Sequence, residues 1–252
     1  LPEGDTIFRT AAVLHRALAG KAVTRFETML PRLERIALEG RTVERVAASG
    51  KHLIIDFSGD VHLHTHMRMN GSWHVYKRGE RWRRPRADMR LVIETDDYVA
   101  VGFNVPVAEF VTRAPEIGPD LLSPSFDAAE ALRRMRARGD DEIANVLLNQ
   151  QVMAGVGNIW KSESLFRSGV DPFTRVRDLP DDVLTRIIDN ARKLLRASAA
   201  GRVQQQVYSR GNRPCRKCGT PIAYRRQGAD ARGTYWCPRC QAISGSSSSP
   251  SK

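Results

Sequence analysis

Four cysteines, Cys215, Cys218, Cys237 and Cys240, are the only ones in the 252-residue chain, and they form two Cys-x2-Cys pairs. Thiolates at this spacing suit a zinc ion, because each short turn places two sulfurs on one tetrahedral centre. A four-sulfur site is closed to substrate, so the zinc is predicted to be structural. A redox pair or four unrelated thiols is the alternative. Two correctly spaced pairs with no other cysteine argue against it. Between the pairs, TPIAYRR and GTYWC flank QGADAR and predict a hairpin with its tip near Arg232. From Arg202 to Cys240 there are nine Lys and Arg against one acid, Asp230. A basic, zinc-stapled hairpin favours nucleic acid, although zinc ribbons also dock proteins.

Two further patterns bear on chemistry. The segment DEIANVLLNQQVMAGVGNIWKSESLF, Asp141 to Phe166, reads as helix, interruption, helix. Gly155 and Gly157 permit sharp turns and a close approach to another surface. Asn158 opens the second helix, where outward-pointing N–H groups bind phosphate readily. A helix hairpin with glycines kept for packing fits the same spacing equally well. His62, His64 and His66 alternate and so share one face of a strand. Three such histidines could bind metal, but no carboxylate or fourth ligand is evident, so they read as strand residues.

The elements that must position these groups follow from periodicity. Glu3 to Ala19 is predicted helical, with Ile7, Ala11, Leu14 and Leu18 on one face and Gly20 ending it. From Ala22 to about Val111 come short β-like runs, among them VTRFETML, TVERVA, HLIIDF, VHLHTHM, MRLVIET and YVAVGF, punctuated by Gly, Asp and Asn. The basic stretch Arg78 to Arg86 is expected to be an exposed loop. IGPDLLSPS reads as a linker, and helices are expected over Asp127–Arg138, Asp141–Gln150, Asn158–Ser168 and Pro180–Ala199. The division is therefore a β-sandwich domain over 1–116, a linker over 117–126, a helical domain over 127–207, a zinc finger over 208–241 and a disordered tail over 242–252. The fold class is α+β and multi-domain.

Composition sets the partner class. Forty Lys and Arg stand against 28 Asp and Glu, a formal net charge of +12. That excess favours a polyanion. Hydrophobic content of 41% is ordinary for a globular chain. No apolar run approaches the roughly 18 residues of a spanning helix, and the start lacks a signal peptide's pattern. A membrane partner is not expected. The chain reads as cytoplasmic, with monomer as the default state.

AGVGNIW with ESLF, followed by PCRKCG and TYWCPRCQ, resembles the formamidopyrimidine-DNA glycosylase and endonuclease VIII family. The start Pro2-Glu3-Gly4 resembles the same family, its Gly form being more similar to the endonuclease VIII branch. Three motifs in order, from Pro2 to Gln241, make the resemblance specific. It implies a β-sandwich with flanking helices, a helix–two turns–helix domain and a zinc finger, with double- or single-stranded damaged DNA bound between domains. The implied activity is base excision, oxidised pyrimidines favoured, with strand cleavage by β,δ-elimination. Alternatives of the same fold are an oxidised-purine glycosylase and a non-catalytic damaged-DNA-binding protein.

By position, the resemblance makes Pro2 the nucleophile, Glu3 the neighbouring acid and Lys51 the lysine of the β domain. Gln151 and Asn158 correspond to turn residues holding the DNA backbone, and Arg232 to the finger-tip arginine. Arg68, Met69 and Asn70 occupy the loop that fills the void left by a flipped nucleotide. The family's second glutamate falls at Thr6, preceded by Asp5, so Asp5 substitutes or this branch works without it. A proline inside a chain has its lone pair delocalised into an amide. The nucleophile reading therefore expects Leu1 to be removed, freeing the Pro2 amine.

Overall fold

The computed structural model describes residues 2–242, and the chain divides into two units, Leu1–Glu116 and Ile117–Lys252. The expected disordered tail lies outside the described residues except for its first residue, Ala242, and so does Leu1.

The first unit opens with α1, Gly4–Leu18, whose Ile7, Ala11, Leu14 and Leu18 are buried at helical spacing as predicted. Two antiparallel sheets follow. One has the order β1-β6-β7-β5, built from Arg25–Thr28, Met89–Glu94, Tyr98–Phe103 and Ser72–Lys77; the other is β2-β3-β4-β8, built from Val43–Ser49, His52–Phe57, Val61–His66 and Val107–Val111. Leu53, Ile55, Phe57 and Leu63 from the second sheet share one core with Leu91, Ile93 and Ala100 from the first and with the apolar face of α1. Alternation of inward apolar and outward polar residues is what makes this burial possible.

Two strands, β5 and β8, lie within the predicted β region but not among the runs singled out in it. In β5, Trp73 faces the main core while Tyr76 packs in a second cluster with Val101 and Phe103, so both faces are apolar and the alternation is blurred. In β8 an acidic residue, Glu109, sits mid-strand on an edge. The Arg78–Arg86 loop is exposed in large part but is anchored. Trp82 packs edge-on against Phe103, Arg84 pairs with Asp88, and the Arg83 N–H donates to the Tyr76 hydroxyl.

The second unit contains α2 (Ala128–Arg136), α3 (Ile143–Leu148), α4 (Asn158–Ser168), α5 (Asp181–Ala199) and a hairpin of β9 (Ala223–Gln227) with β10 (Arg232–Trp236). The 117–126 stretch expected as a linker is instead part of this unit. Leu121 is buried in its core, Asp120 bridges Ala154, and a Cβ on Gly118 would lie 2.6 Å from the Gln151 carbonyl oxygen. The α3 helix is shorter than predicted because Asn149 leaves the helical region and the chain turns there.

Helix α4 carries the unit. Polar residues Lys161, Ser162, Glu163 and Ser164 are buried along it with Trp160 and Leu165. The Glu163 carboxylate accepts backbone N–H bonds from Gln206, Val207 and Tyr208 at 2.9–3.0 Å, which fixes the segment leading to the cysteines. Gly169, in the left-handed region, closes the helix. Removing the carboxylate would strand three donors. Glu163→Ala is expected to lower unfolding free energy by about 3 kcal/mol in a denaturant titration, with Glu163→Gln losing less because one acceptor oxygen remains.

Candidate active site and nucleic-acid interface

In the first unit, Pro2 is half-buried directly ahead of α1, and Glu3, 2% exposed, stands at the helix N-cap. Its carbonyl oxygen accepts the first helical N–H bonds, from Thr6 and Ile7, but its side chain makes no capping bond. Helix caps are normally Ser, Thr, Asp or Asn, whose short side chains reach back to the backbone. Asp5, also buried, lies 3.9 Å from Arg9, while Thr6 is half-buried. Of the two positions in question, the one that buries a carboxylate is therefore Asp5.

Lys51 occupies the two-residue turn of the β2–β3 hairpin, closed by the Ser49–His52 pair, with Gly50 at φ +57°. A left-handed residue is what such a tight turn demands. Arg68, Met69 and Asn70 are exposed on the turn between β4 and β5. The Gly71 N–H donates to the Met67 carbonyl at 2.9 Å, and a Cβ at Gly71 would fall 2.6 Å from that oxygen. Arg68 adopts φ +46°, and Met69 is 55% exposed. A large apolar side chain is thus held outward on a short, constrained turn.

Two of the three alternating histidines, His62 and His64, have carboxylate neighbours that the sequence does not reveal. His62 contacts Asp56 at 2.8 Å and Asp60 at 3.0 Å, and its proton affinity is raised chiefly by the Asp56 hydrogen bond. His64 contacts Glu109 at 3.1 Å and His52 at 2.8 Å. The His66 Nδ1 accepts the Arg68 N–H at 3.0 Å. Burial first, and then the neighbouring His64, His66 and Lys51, lower His52 from 6.5 to about 4. Burial also lowers His66. Among the described residues, the four cysteines form the one group arranged to hold a metal ion.

In the second unit, Gln150 organises the two turns. Its Nε2 donates to the carbonyls of Leu148 and Val156, and its Oε1 accepts the Gly155 N–H. Gln151 is the exposed neighbour, its carbonyl accepting from Arg134 at 2.7 Å. Asn158 opens α4 as expected, yet its side chain faces inward. Nδ2 donates to the Gly233 carbonyl at 2.8 Å, and Oδ1 is buried without a hydrogen-bond partner. Its side-chain amide therefore bolts α4 to β10. Arg232 starts β10, paired with Gln227 and 3.6 Å from Asp230, and borders a concavity of about 370 Å³ also lined by Asn145 and Asn149.

A polar chain that spacing could not suggest links these parts. The Lys161 Nζ, on a residue 1% exposed, donates to Thr234 Oγ1 at 2.8 Å; that hydroxyl donates to Gln227 Oε1 at 2.7 Å; Gln227 Nε2 donates to Glu142 at 2.6 Å. A lysine inside a helix reads as a solvated residue until its partner strand is known.

The cysteine sulfurs all lie within 4.8 Å of one another, with Cys215–Cys240 at 4.0 Å and Cys218–Cys237 at 3.5 Å. Tetrahedral zinc–thiolate bonds of about 2.3 Å require sulfurs roughly 3.8 Å apart. These separations are far too long for disulfides and fit one structural zinc ion. Gln241 braces the site, accepting the Cys237 N–H and donating to the Val170 carbonyl.

Three family models match. Residues 1–106 match the formamidopyrimidine-DNA glycosylase N-terminal domain, 117–208 the H2TH domain of that glycosylase, and 213–243 a zinc finger found in FPG and IleRS. The chain is 40% identical to a probable endonuclease 8 2 of Streptomyces coelicolor, over 96% of this chain and 94% of that protein. It is 38% identical to DNA-(apurinic or apyrimidinic site) lyase Nei2 of Mycolicibacterium smegmatis, over 97% and 100%. In fold it is similar to the Lactococcus lactis formamidopyrimidine-DNA glycosylase solved with abasic-site DNA, at a TM-score of 0.84 and 23% identity, covering 96% of this chain and 100% of that one.

The histidine cluster generates a pH prediction. His52 is neutral in the folded state down to about 4, while in the unfolded chain it takes a proton near 6.5. The unfolded state binds more protons between these values, so stability is full above 6.5 and falls as pH drops towards 4. The loss from this residue is at most about 3 kcal/mol. His52→Asn should flatten that part of the stability–pH curve measured by denaturation.

Proposed function

The chain belongs to the formamidopyrimidine-DNA glycosylase and endonuclease 8 family, and from that premise we propose that it excises oxidised bases, pyrimidines in preference, and cleaves the resulting abasic site. The observation that carries the reading is Glu3. A buried carboxylate at a helix N-cap that does not cap the helix, next to Pro2, is better explained by chemistry than by local structure.

In this reading Pro2, as a free secondary amine, attacks C1′ of the sugar and the damaged base leaves. The product is an iminium ion with no N–H to lose, so it stays cationic and draws electrons from the sugar. A proton then leaves C2′ and the 3′ phosphate departs; a second elimination releases the 5′ phosphate. Glu3 donates a proton to the ring oxygen as the sugar opens. Lys51 on its turn supplies a cation for the phosphate or the departing base. A reference α-amino pKa near roughly 8 leaves a usable neutral fraction of the nucleophile at about pH 7.

A base in a duplex must be extruded before C1′ is reached, and the void must be filled. The exposed Met69 on its constrained turn suits insertion into the stack, with Arg68 and Asn70 beside it to contact the orphaned base. Gln151 and Arg232 are assigned to the DNA backbone, and Asn158 is assigned an indirect part through its bond to β10. The partner is damaged DNA, consistent with the net charge of +12.

Borohydride reduction with an abasic-site duplex tests the nucleophile. Protein beginning at Pro2, checked by intact mass, is expected to form a covalent complex. Protein with one residue ahead of Pro2 should form none, because its nitrogen is an amide; equal trapping by both forms would remove Pro2 from the mechanism. Met69→Ala is expected to slow excision of an oxidised pyrimidine from duplex DNA by about tenfold in single-turnover assays. It should affect cleavage of a preformed abasic site less.

A further inference from the structure

The outer face of the second sheet holds a chain of hydrogen-bonding groups that the proposed reaction does not use. His64, buried on β4, has Nδ1 3.1 Å from the Glu109 carboxylate on β8 and Nε2 2.8 Å from His52 Nδ1 on β3. A carboxylate only accepts, so His64 Nδ1 carries the proton. With a single proton on its ring, His64 has a bare Nε2, and the short contact with His52 then requires His52 Nδ1 to be the donor. The order of hydrogen bonds therefore leaves His52 Nε2 unprotonated. At one end of this chain Glu109, its side chain 52% exposed, supplies a negative charge. At the other end lie Lys51, adjacent in sequence, and His66, whose ring is edge-on to His52 at 5.0 Å. His66 is fixed in turn, because its Nδ1 accepts the Arg68 N–H.

We propose that Glu109, His64 and His52 form a proton-uptake relay, in which His52 Nε2 takes one proton from solvent when a DNA phosphate docks beside Lys51. This rests on the DNA-binding reading above. In the free protein the groups facing His52 are Lys51, His64, His66 and, behind His66, Arg68; burial above all holds the His52 ring neutral, its pKa lowered to about 4, and the Lys51 cation acts in the same direction. An arriving phosphate reverses the local balance of charge. The imidazolium then sits between the phosphate and Glu109, the latter acting through His64. His62 takes no part, being held by Asp56 and Asp60 further along the sheet. The three relay residues contribute one extra cation beside Lys51 only when anion is present.

Calorimetric titration with a duplex carrying a reduced abasic-site analogue, in two buffers of different ionisation enthalpy, reads the proton directly. At about pH 5.5 uptake should approach one proton per complex and affinity should rise up to about tenfold per pH unit on acidification. By about pH 7.5 uptake should fade. His52→Asn keeps a donor towards His64 but has no basic nitrogen, and Glu109→Ala removes the counter-charge; both should abolish or sharply reduce uptake. Unchanged uptake in both variants, or DNA binding with none, overturns the proposal. Imidazole ¹⁵N spectra of the free protein give an independent result, since the relay requires His52 as the Nδ1–H tautomer. An Nε2–H tautomer there overturns it without reference to DNA. Failure to bind the duplex at all would count against the DNA reading, and the spectra would still decide the hydrogen-bond order.

Discussion

The second unit depends on the burial of polar side chains along α4. A helix that submerges Lys161 and Glu163 can persist only if both charges find partners, because an unpaired buried charge costs several kcal/mol. The partners come from distant sequence. Glu163 collects the N–H groups of residues 206–208, Lys161 reaches Thr234, and Asn158 reaches Gly233. These bonds tie the cysteine module and its hairpin to the helix. They also explain why a hairpin of two five-residue strands is ordered, since an isolated hairpin is marginal in water. Zinc fixes one end of the module, and the α4 network fixes the other.

The first unit solves positioning differently. Lys51 and residues 68–70 lie on turns of the sandwich, and each turn is tightened by one glycine. Gly50 supplies the left-handed residue beside Lys51, and Gly71 lets the chain close within contact of Met67. Turns built on packed sheets can hold side chains outward with little loss of order. That geometry makes Met69 an exposed apolar group with restricted freedom, the form of side chain that can enter a base stack at low entropic cost.

Legibility in the sequence follows the range of the interactions. The helix α1 and most strands are readable because periodicity is local, and the zinc site because two turns of fixed spacing encode it. The strands β5 and β8 are harder to single out because Tyr76 makes both faces of β5 apolar and β8 is a five-residue strand at a sheet edge. Residues 117–126 look like a linker from Gly, Pro and Ser content, whereas Leu121 and Asp120 bind them into the helical core. Asn158 falls correctly at a helix start, but the direction of its side chain depends on a strand 75 residues away. Gln150 and Gln151 are indistinguishable by type. Only the fold shows that the first ties the turns together and the second faces solvent.

The same logic changes the meaning of the basic composition. Many arginines that suggest a polyanion by their number are committed to acids or carbonyls. Arg133 and Arg134 share Glu130, Arg136 holds Asp181 and two carbonyls, Arg84 holds Asp88, and Arg86 holds Glu27. The half-buried Glu130 is held down at about 2 chiefly by its bonds to Arg133 and Arg134. Exposed pairs of this kind contribute little to stability, but they occupy cations that would otherwise be counted as contacts for DNA. The salt dependence of binding should therefore reflect far fewer than 40 basic residues. Net charge draws the polyanion in, whereas a small set of turn and hairpin residues would decide where it rests.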